Sequence, residues 1–467
     1  MELGDQSFLS LGIDLGTTSV KVTLIDKESH EVEYTVSELS HADVLSNVGS
    51  SGFEQNPGLI FAALQKCLLQ IPQKLTHNVC CIGISGQMHG LVLWKADDGC
   101  GYLDKQFVTK NSSNLYTWQD QRCTPDFISA LPKPDSHQHL ATGFGCATLF
   151  WLAKHQPEVL CKYDCAGSIM DFLVTILCGL DRPTMSSQIA ASWGYFNTST
   201  RSWNSDILKE AGFPVHLLPW VVESGTEAGT LQFDWCGVPA GTPILAALGD
   251  LQCSILSCIK EENDAVLNIS TSCQLAFPIQ LQDFKPSHTD SAGPVSHFPY
   301  FNGRYLAVAA SLNGGNVLAQ FVKMLQQWFS YFGITIDENK VWEKLMNSDE
   351  NVDETLRISP TVFGERHAPD KRGSVCGLTE RNLNVDQIFV SLCHGMVSNL
   401  YQMMPCTFLM ECNVKRVIAT GSVVDRNKFV KDHIFKVYGK YIPVVQGKTT
   451  DSALGASLAA IKIFKKT

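Results

Sequence analysis

Near the start of the chain, two apolar runs flank Asp14-Leu-Gly-Thr-Thr-Ser-Val-Lys21, a set of side chains suited to phosphate. Gly16 lets the backbone turn tightly, so that N–H groups and the hydroxyls of Thr17, Thr18 and Ser19 can surround phosphate oxygens. Lys21 adds a point charge, and Asp14 is placed to hold a hydrated Mg²⁺ beside the same oxygens. The same residues would also make an ordinary hydrophilic hairpin tip. Farther on, Gly249-Asp250-Leu-Gln-Cys253 puts a carboxylate at the end of the apolar run 243–248. A carboxylate there can accept a hydroxyl proton in phosphoryl transfer, a reaction dominated by positioning and charge stabilisation. Asp250 can equally cap a following helix, and the two roles are compatible.

Ser85-Gly-Gln-Met-His-Gly90 directly follows the apolar run 79–84. Ends of buried strands face the ligand crevice in α/β sheets, where Gln87 and His89 would hydrogen-bond hydroxyls and Met88 would form an apolar wall. A lone histidine beside glycine is more often structural. Trp118-Gln-Asp-Gln-Arg122 offers an aromatic surface, a carboxylate and N–H donors, as sugar sites do; its alternative is an exposed loop after a packed tryptophan. One tempting signal fails: Gly447-Lys448-Thr449 resembles the end of a P-loop, but the glycine required five places before Gly447 is Ile442. No G-x-G-x-x-G follows the first strand either, which disfavours a dinucleotide fold.

The elements that must position these residues read as α/β. Apolar alternation on both sides of the Gly-Thr-Thr turn predicts a hairpin, 57–75 has helical spacing behind Pro57, and 79–84 is a buried strand. Leu267-Asn-Ile-Ser-Thr-Ser272 mirrors Ile13-Asp-Leu-Gly-Thr-Thr18, which suggests two related domains around a cleft, 1–242 and 243–467, crossing over at 231–242. Coincidence between short hairpins would give the same pattern. The 467 residues, 45% hydrophobic and 18% charged, are globular in composition and too many for one core. A net charge of −10, with 36 basic against 46 acidic residues, argues against a general nucleic-acid binder. No run reaches the ~18 apolar residues of a membrane span. Residues 1–10 lack the basic flank of a secretory signal, and 465–467 form no retention signal, so the expected setting is the cytoplasm. The seventeen cysteines are scattered without zinc-like spacing and read as reduced thiols.

Taken in chain order, DLGTTSVK at 14–21, SGQMHG at 85–90, WQDQR at 118–122, GDLQ at 249–252, STS at 270–272, FGERHAPDKRGSVCGLT at 363–379 and DSALGASLAA at 451–460 resemble the FGGY carbohydrate kinases over essentially the whole chain. Met88-His89 is similar to the ketose kinases of that family rather than to glycerol kinase, which has Arg-Glu there. The resemblance implies an actin-like fold of two ribonuclease-H-like domains, with ATP and Mg²⁺ in the cleft and the sugar mainly on the N-terminal domain. By motif, Asp250 is the general base, and Asp14 and Asp250 hold the metal. Gly16, Thr17, Thr18, Ser19 and Lys21 contact the phosphates from one side and Thr271 from the other. Gly315, Gly421, Ser422 and Asn427 form the nucleotide side, and Gln87, Met88, His89, Asp120, Phe144 and Asp250 the sugar side. Two positions depart from the family: Ser270 stands where a glycine is usual, restricting φ in the second phosphate turn, and Ser422 replaces the second glycine of the adenosine segment. The rival readings are another ketose kinase, a non-catalytic nucleotide switch of the same fold, and a degenerate kinase acting as a sensor.

Overall fold

The computed structural model describes residues 8–96, 100–280, 284–287, 293–348 and 353–464. The terminal segments 1–7 and 465–467, on which part of the signal expectations rest, lie outside them. Two sheets carry the architecture. The first contains β1 (Leu9–Leu15), β2 (Ser19–Asp26), β3 (Val32–Leu39), β4 (Val79–Gly86), β5 (Glu227–Thr230), β6 (Pro243–Leu245) and β7 (Leu248–Gly249). The second contains β8 (Asp264–Ile269), β9 (Cys273–Pro278), β10 (Val295–Pro299), β11 (Tyr305–Ser311), β12 (Arg416–Thr420) and β13 (Val444–Gln446). Their orders are β5-β6-β4-β1-β2-β3, with β7 beside β4, and β10-β11-β9-β8-β12-β13.

The two orders coincide over five strands. In each sheet a hairpin (β1–β2, β8–β9) is extended antiparallel on one side by β3 or β11 and parallel on the other by β4 or β12. The mirrored motifs at 13–18 and 267–272 are therefore equivalent parts of a repeated unit. β1 forms because Leu9, Leu11, Ile13 and Leu15 are fully buried on one face, while the intervening residues meet a helix on the other.

That helix is α3 (Ser452–Phe464), the last element of the chain. It lies on β1 and β4 so closely that a Cβ on Gly12 would stand 1.9 Å from Ala453 O, and one on Gly83 2.1 Å from Ala456 O. Ser10 and Ser457 exchange reciprocal hydroxyl-to-carbonyl bonds of 3.0 Å across the contact. Beside it runs α2 (Asp250–Cys258), and the buried side chains of α2 and α3 fill one layer between the two sheets. A third helix that matters, α1 (Pro57–Gln70), covers the opposite face of the first sheet behind an Asn56 cap.

The expected division at 242/243 does not follow sheet membership. Residues 243–249 pair with β4, and α3 returns from the far end of the chain to the first sheet. Long-range strand pairing, which local pattern does not encode, decides both. Among the described residues no helix is long and apolar enough to cross a membrane. None of the seventeen cysteines forms a disulfide among the described residues, and most are buried.

Candidate active site

The register of three strands places the carboxylates. Asp14 pairs with Ser85 across β1 and β4, and Ser85 with Leu248 across β4 and β7, so Asp250 enters α2 two residues past the same level. Ser85 Oγ lies 3.2 Å from Asp14 Oδ1 and 3.3 Å from Ser452 O, joining the first strand to the last helix. Burial, reinforced by the charges of Asp250 and Asp451 and opposed by Ser85 and Lys21, pushes the Asp14 carboxyl up to about 7. Burial raises Asp250 to about 6 against a 2.7 Å hydrogen bond from Leu251 N–H. Two carboxyls that resist ionisation at one point of a cleft are the arrangement expected where protons or cations are handled.

Around them lies the first turn. A Cβ on Gly16 would sit 2.8 Å from Ser19 O, so the tight turn requires the glycine. Thr17 is held on both ends: its carbonyl accepts from Gln55 Nε2 at 2.7 Å and its hydroxyl from Trp118 Nε1 at 3.0 Å. Thr18 is exposed at the tip and Ser19 is half-buried. Lys21 Nζ pairs with Asp451 Oδ2 at 2.6 Å, and Asp451 Oδ1 accepts from Leu454 N–H in the first turn of α3. Asp451 thus orients the expected phosphate lysine. Its only signal in the sequence is its place at the head of the 451–460 motif.

Gln87, Met88, His89, Phe144 and Trp118 come together beside this turn. The 2.8 Å contact from His89 Nδ1 to the Ser192 carbonyl fixes the tautomer, since a carbonyl only accepts: Nδ1 carries the proton and Nε2 keeps its lone pair. Burial, aided by the charge of Arg366, lowers the imidazole to about 4, so it stays neutral. His89 has φ of +75°, a backbone region costly for a side-chain-bearing residue, and its ring stacks on Phe144 at 4.5 Å. Gln87 donates to Gln55 Oε1 at 3.0 Å while its own Oε1 is buried without a partner. Met88 Sδ reaches Gly249, where an added Cβ would be 2.7 Å away, so the wall of this pocket touches the segment bearing Asp250.

Asp120 behaves differently from the sugar-side expectation. Its Oδ1 accepts from Arg122 N and Nε, and its Oδ2 from Arg122 Nη2 and Phe53 N. Fully buried, it has its lone pairs committed and builds the loop under Trp118, helped by the Arg122–Glu54 pair at 2.7 Å.

The counterpart of this turn in the second sheet is 270–272, with Thr271 exposed at the tip. Gly315 N–H donates to Ser270 O at 2.7 Å and Asn316 N–H to Thr271 O at 3.2 Å, docking the 313–316 loop onto this turn. The two departures from the family pattern are in contact: Ser270 Oγ accepts from Ser422 N–H at 3.3 Å and donates to Asn268 Oδ1 at 3.2 Å. Gly421 holds φ of +109° with no room for a Cβ against Ile269 O. Asn427 is buried, and its Oδ1 caps the helix Lys428–Val437 through Val430 N–H. Its side chain is engaged within the fold, with Val430 N–H and Cys393 Sγ as partners.

Residues 9–257 match the N-terminal domain of the FGGY family of carbohydrate kinases. The chain is 46% identical over 466 residues to the sedoheptulokinase of Mus musculus and 45% identical over 468 residues to that of Homo sapiens, in both cases across 97% of each chain. The crystal structure of xylulose kinase from Rhodospirillum rubrum superposes with a TM-score of 0.78 at 16% identity, covering 98% of this chain and 89% of the other. That likeness shows the fold: two actin-like, ribonuclease-H-like halves.

Proposed function

From the premise that this chain belongs to the FGGY family of carbohydrate kinases and is an ATP-dependent sugar kinase, we propose that its sugar is sedoheptulose, converted to sedoheptulose 7-phosphate with release of ADP. The near-complete likeness to two sedoheptulokinases supports the substrate. The observation that carries the chemistry is Asp250, raised to about 6 at the start of α2 and close enough to Asp14 for its charge to raise that carboxyl too. At neutral pH it is ionised yet basic enough to take a proton.

In the reaction the terminal hydroxyl oxygen bonds to the γ-phosphorus, the bond to the ADP oxygen breaks, and Asp250 receives the hydroxyl proton. Lys21, with the hydroxyls of Thr17, Thr18 and Ser19, offsets phosphate charge from one side, and Thr271 does so from the other. Gln87 Oε1 and His89 Nε2 accept sugar hydroxyls, and Trp118 and Met88 cover the apolar face. Gly315, Gly421 and Ser422 carry the nucleotide. Asp14 and Asp250 would hold a Mg²⁺ ion, whose charge would offset the carboxylate repulsion that helps raise Asp14; the ion would supply neutralisation of phosphate charge. The abundance of cysteines outside any disulfide supports a reducing, cytoplasmic setting, where the product would enter the pentose phosphate pathway.

The test is Mg²⁺-ATP-dependent ADP release with sedoheptulose, xylulose, ribulose, fructose, glycerol and no sugar. Preference for sedoheptulose supports the assignment, and preference for xylulose or ribulose moves it to a neighbouring ketose kinase. Intact ATP binding without sugar-stimulated release would favour a nucleotide switch or sensor.

A further inference from the structure

The second half contains a cavity of about 840 Å³ that shares no lining residue with either phosphate turn or the sugar side. It lies between the helices Val385–Met403 and Lys428–Val437 and the hairpin of Arg357–Ser359 with Ser374–Cys376. Its size is that of a small-molecule site. Arg357, Lys371 and Lys436 bring three cations to its wall against one carboxylate, Glu354, which is engaged with Lys436 at 2.8 Å. With Lys436 alone paired to a carboxylate, Arg357 and Lys371 leave the wall net positive, which points to an anionic occupant.

This cavity is wired to the nucleotide loop. Lys371 Nζ donates to Asn399 Oδ1 at 3.2 Å, and Asn399 Nδ2 donates to Glu365 Oε1 at 2.8 Å. The same carboxylate oxygen accepts from Ser311 Oγ at 2.7 Å and Asn313 Nδ2 at 3.1 Å. Ser311, Asn313, Glu365 and Asn399 are all buried, and Asn313 immediately precedes the Gly314-Gly315 turn docked on 270–272. An anion that draws Lys371 away from Asn399 would disturb a closed network whose other end sets that docking.

We propose that this cavity binds a phosphorylated sugar as an effector, the phosphate on Arg357, Lys371 and Lys436 and the hydroxyls on the serine and amide groups, and that its occupancy changes nucleotide affinity. The choice of one probe, sedoheptulose 7-phosphate, rests on the proposed substrate; glucose 6-phosphate serves as a second that does not.

The test is calorimetric titration of each probe, and of inorganic phosphate, into the full chain saturated with sedoheptulose and a non-hydrolysable ATP analogue, so that the catalytic cleft is filled. A prior titration of sedoheptulose shows separately whether the proposed substrate binds. We expect one further equivalent of sugar phosphate to bind, with affinity falling at least tenfold in Arg357→Ala/Lys436→Ala while basal turnover is unchanged. The Kd of the ATP analogue, measured without sugar, should shift with sugar phosphate in the native chain and not in the double variant. Absence of binding by either sugar phosphate, binding undiminished in the double variant, or an unmoved nucleotide Kd would overturn the proposal. Inorganic phosphate binding as tightly as the sugar phosphates would overturn the assignment of a sugar ligand.

Discussion

Replacing Asp250 with asparagine should make the protein more stable and nearly inactive at once. The carboxyl is raised from 3.8 to about 6 on folding, so its charge opposes the native state. Each tenfold change in proton affinity corresponds to about 1.36 kcal/mol, so the penalty is roughly 3 kcal/mol, an upper value because the carboxyl edge opens on the cleft. The sign follows from proton counting: between pH 4 and 6 the native chain holds more protons here than the unfolded one, so this group's contribution to stability falls as pH rises through that window. Asparagine keeps an oxygen for the Leu251 N–H and removes the charge. The unfolding midpoint of Asp250→Asn should therefore exceed that of the native chain at pH 8, with the gap closing as pH falls toward 4. ADP release with sugar should drop by about 10²–10⁴-fold while ATP still binds. A variant no more stable at pH 8 would refute the claim that burial holds this carboxyl against its charge. Near-normal turnover would remove it as the base.

Asp451→Asn and Lys21→Met should each raise KM for ATP several-fold, and the double variant should do little more than either, because the two side chains form one unit; a double-mutant cycle checks this. Because Asp250 must be ionised, kcat/KM for the sugar should fall below about pH 6, tenfold per pH unit at the limit, which a pH–rate profile reads directly. Gln87→Met should raise KM for the sugar by at least tenfold while sugar-independent ATP hydrolysis is unchanged, since it removes the unpartnered acceptor and leaves the phosphate turns intact. Ser270→Ala should weaken ATP-analogue binding about fivefold, as expected for losing a bond worth about 1 kcal/mol that joins the second turn to Ser422 N–H, with sugar affinity unaffected.

The hairpins and the residues at their tips were legible in the sequence because turn chemistry and strand alternation are local. Asp14, the Thr17–Ser19 hydroxyls, Gln87, His89 and Asp250 all sit at strand ends, and the structure gathers them where such ends converge. What local pattern could not reveal was partnership across the fold. Asp120 and Asn427 carry chemically suitable groups, yet Arg122 with Phe53 and Val430 with Cys393 claim them. Ser270 and Ser422 read as two separate departures, but one hydrogen bond joins positions far apart in sequence. The division at 242/243 departs from sheet membership because β6 and β7 extend the first sheet and α3 comes back to it.

The chain passes between the two halves twice, once through α2 and once into α3, and both helices begin at a cleft carboxylate, Asp250 and Asp451. A single tether would leave the halves free to swing about a point; two parallel ones confine them to turning about a line, as two hinges confine a door. Glycine lets α3 approach backbone closely on both sides, β1 and β4 at Gly12 and Gly83 and α2 at Gly455. Asp14, Asp250 and Asp451 sit where these two crossings begin, and Lys21, bound to Asp451, ties the strand of the first phosphate turn to the same place.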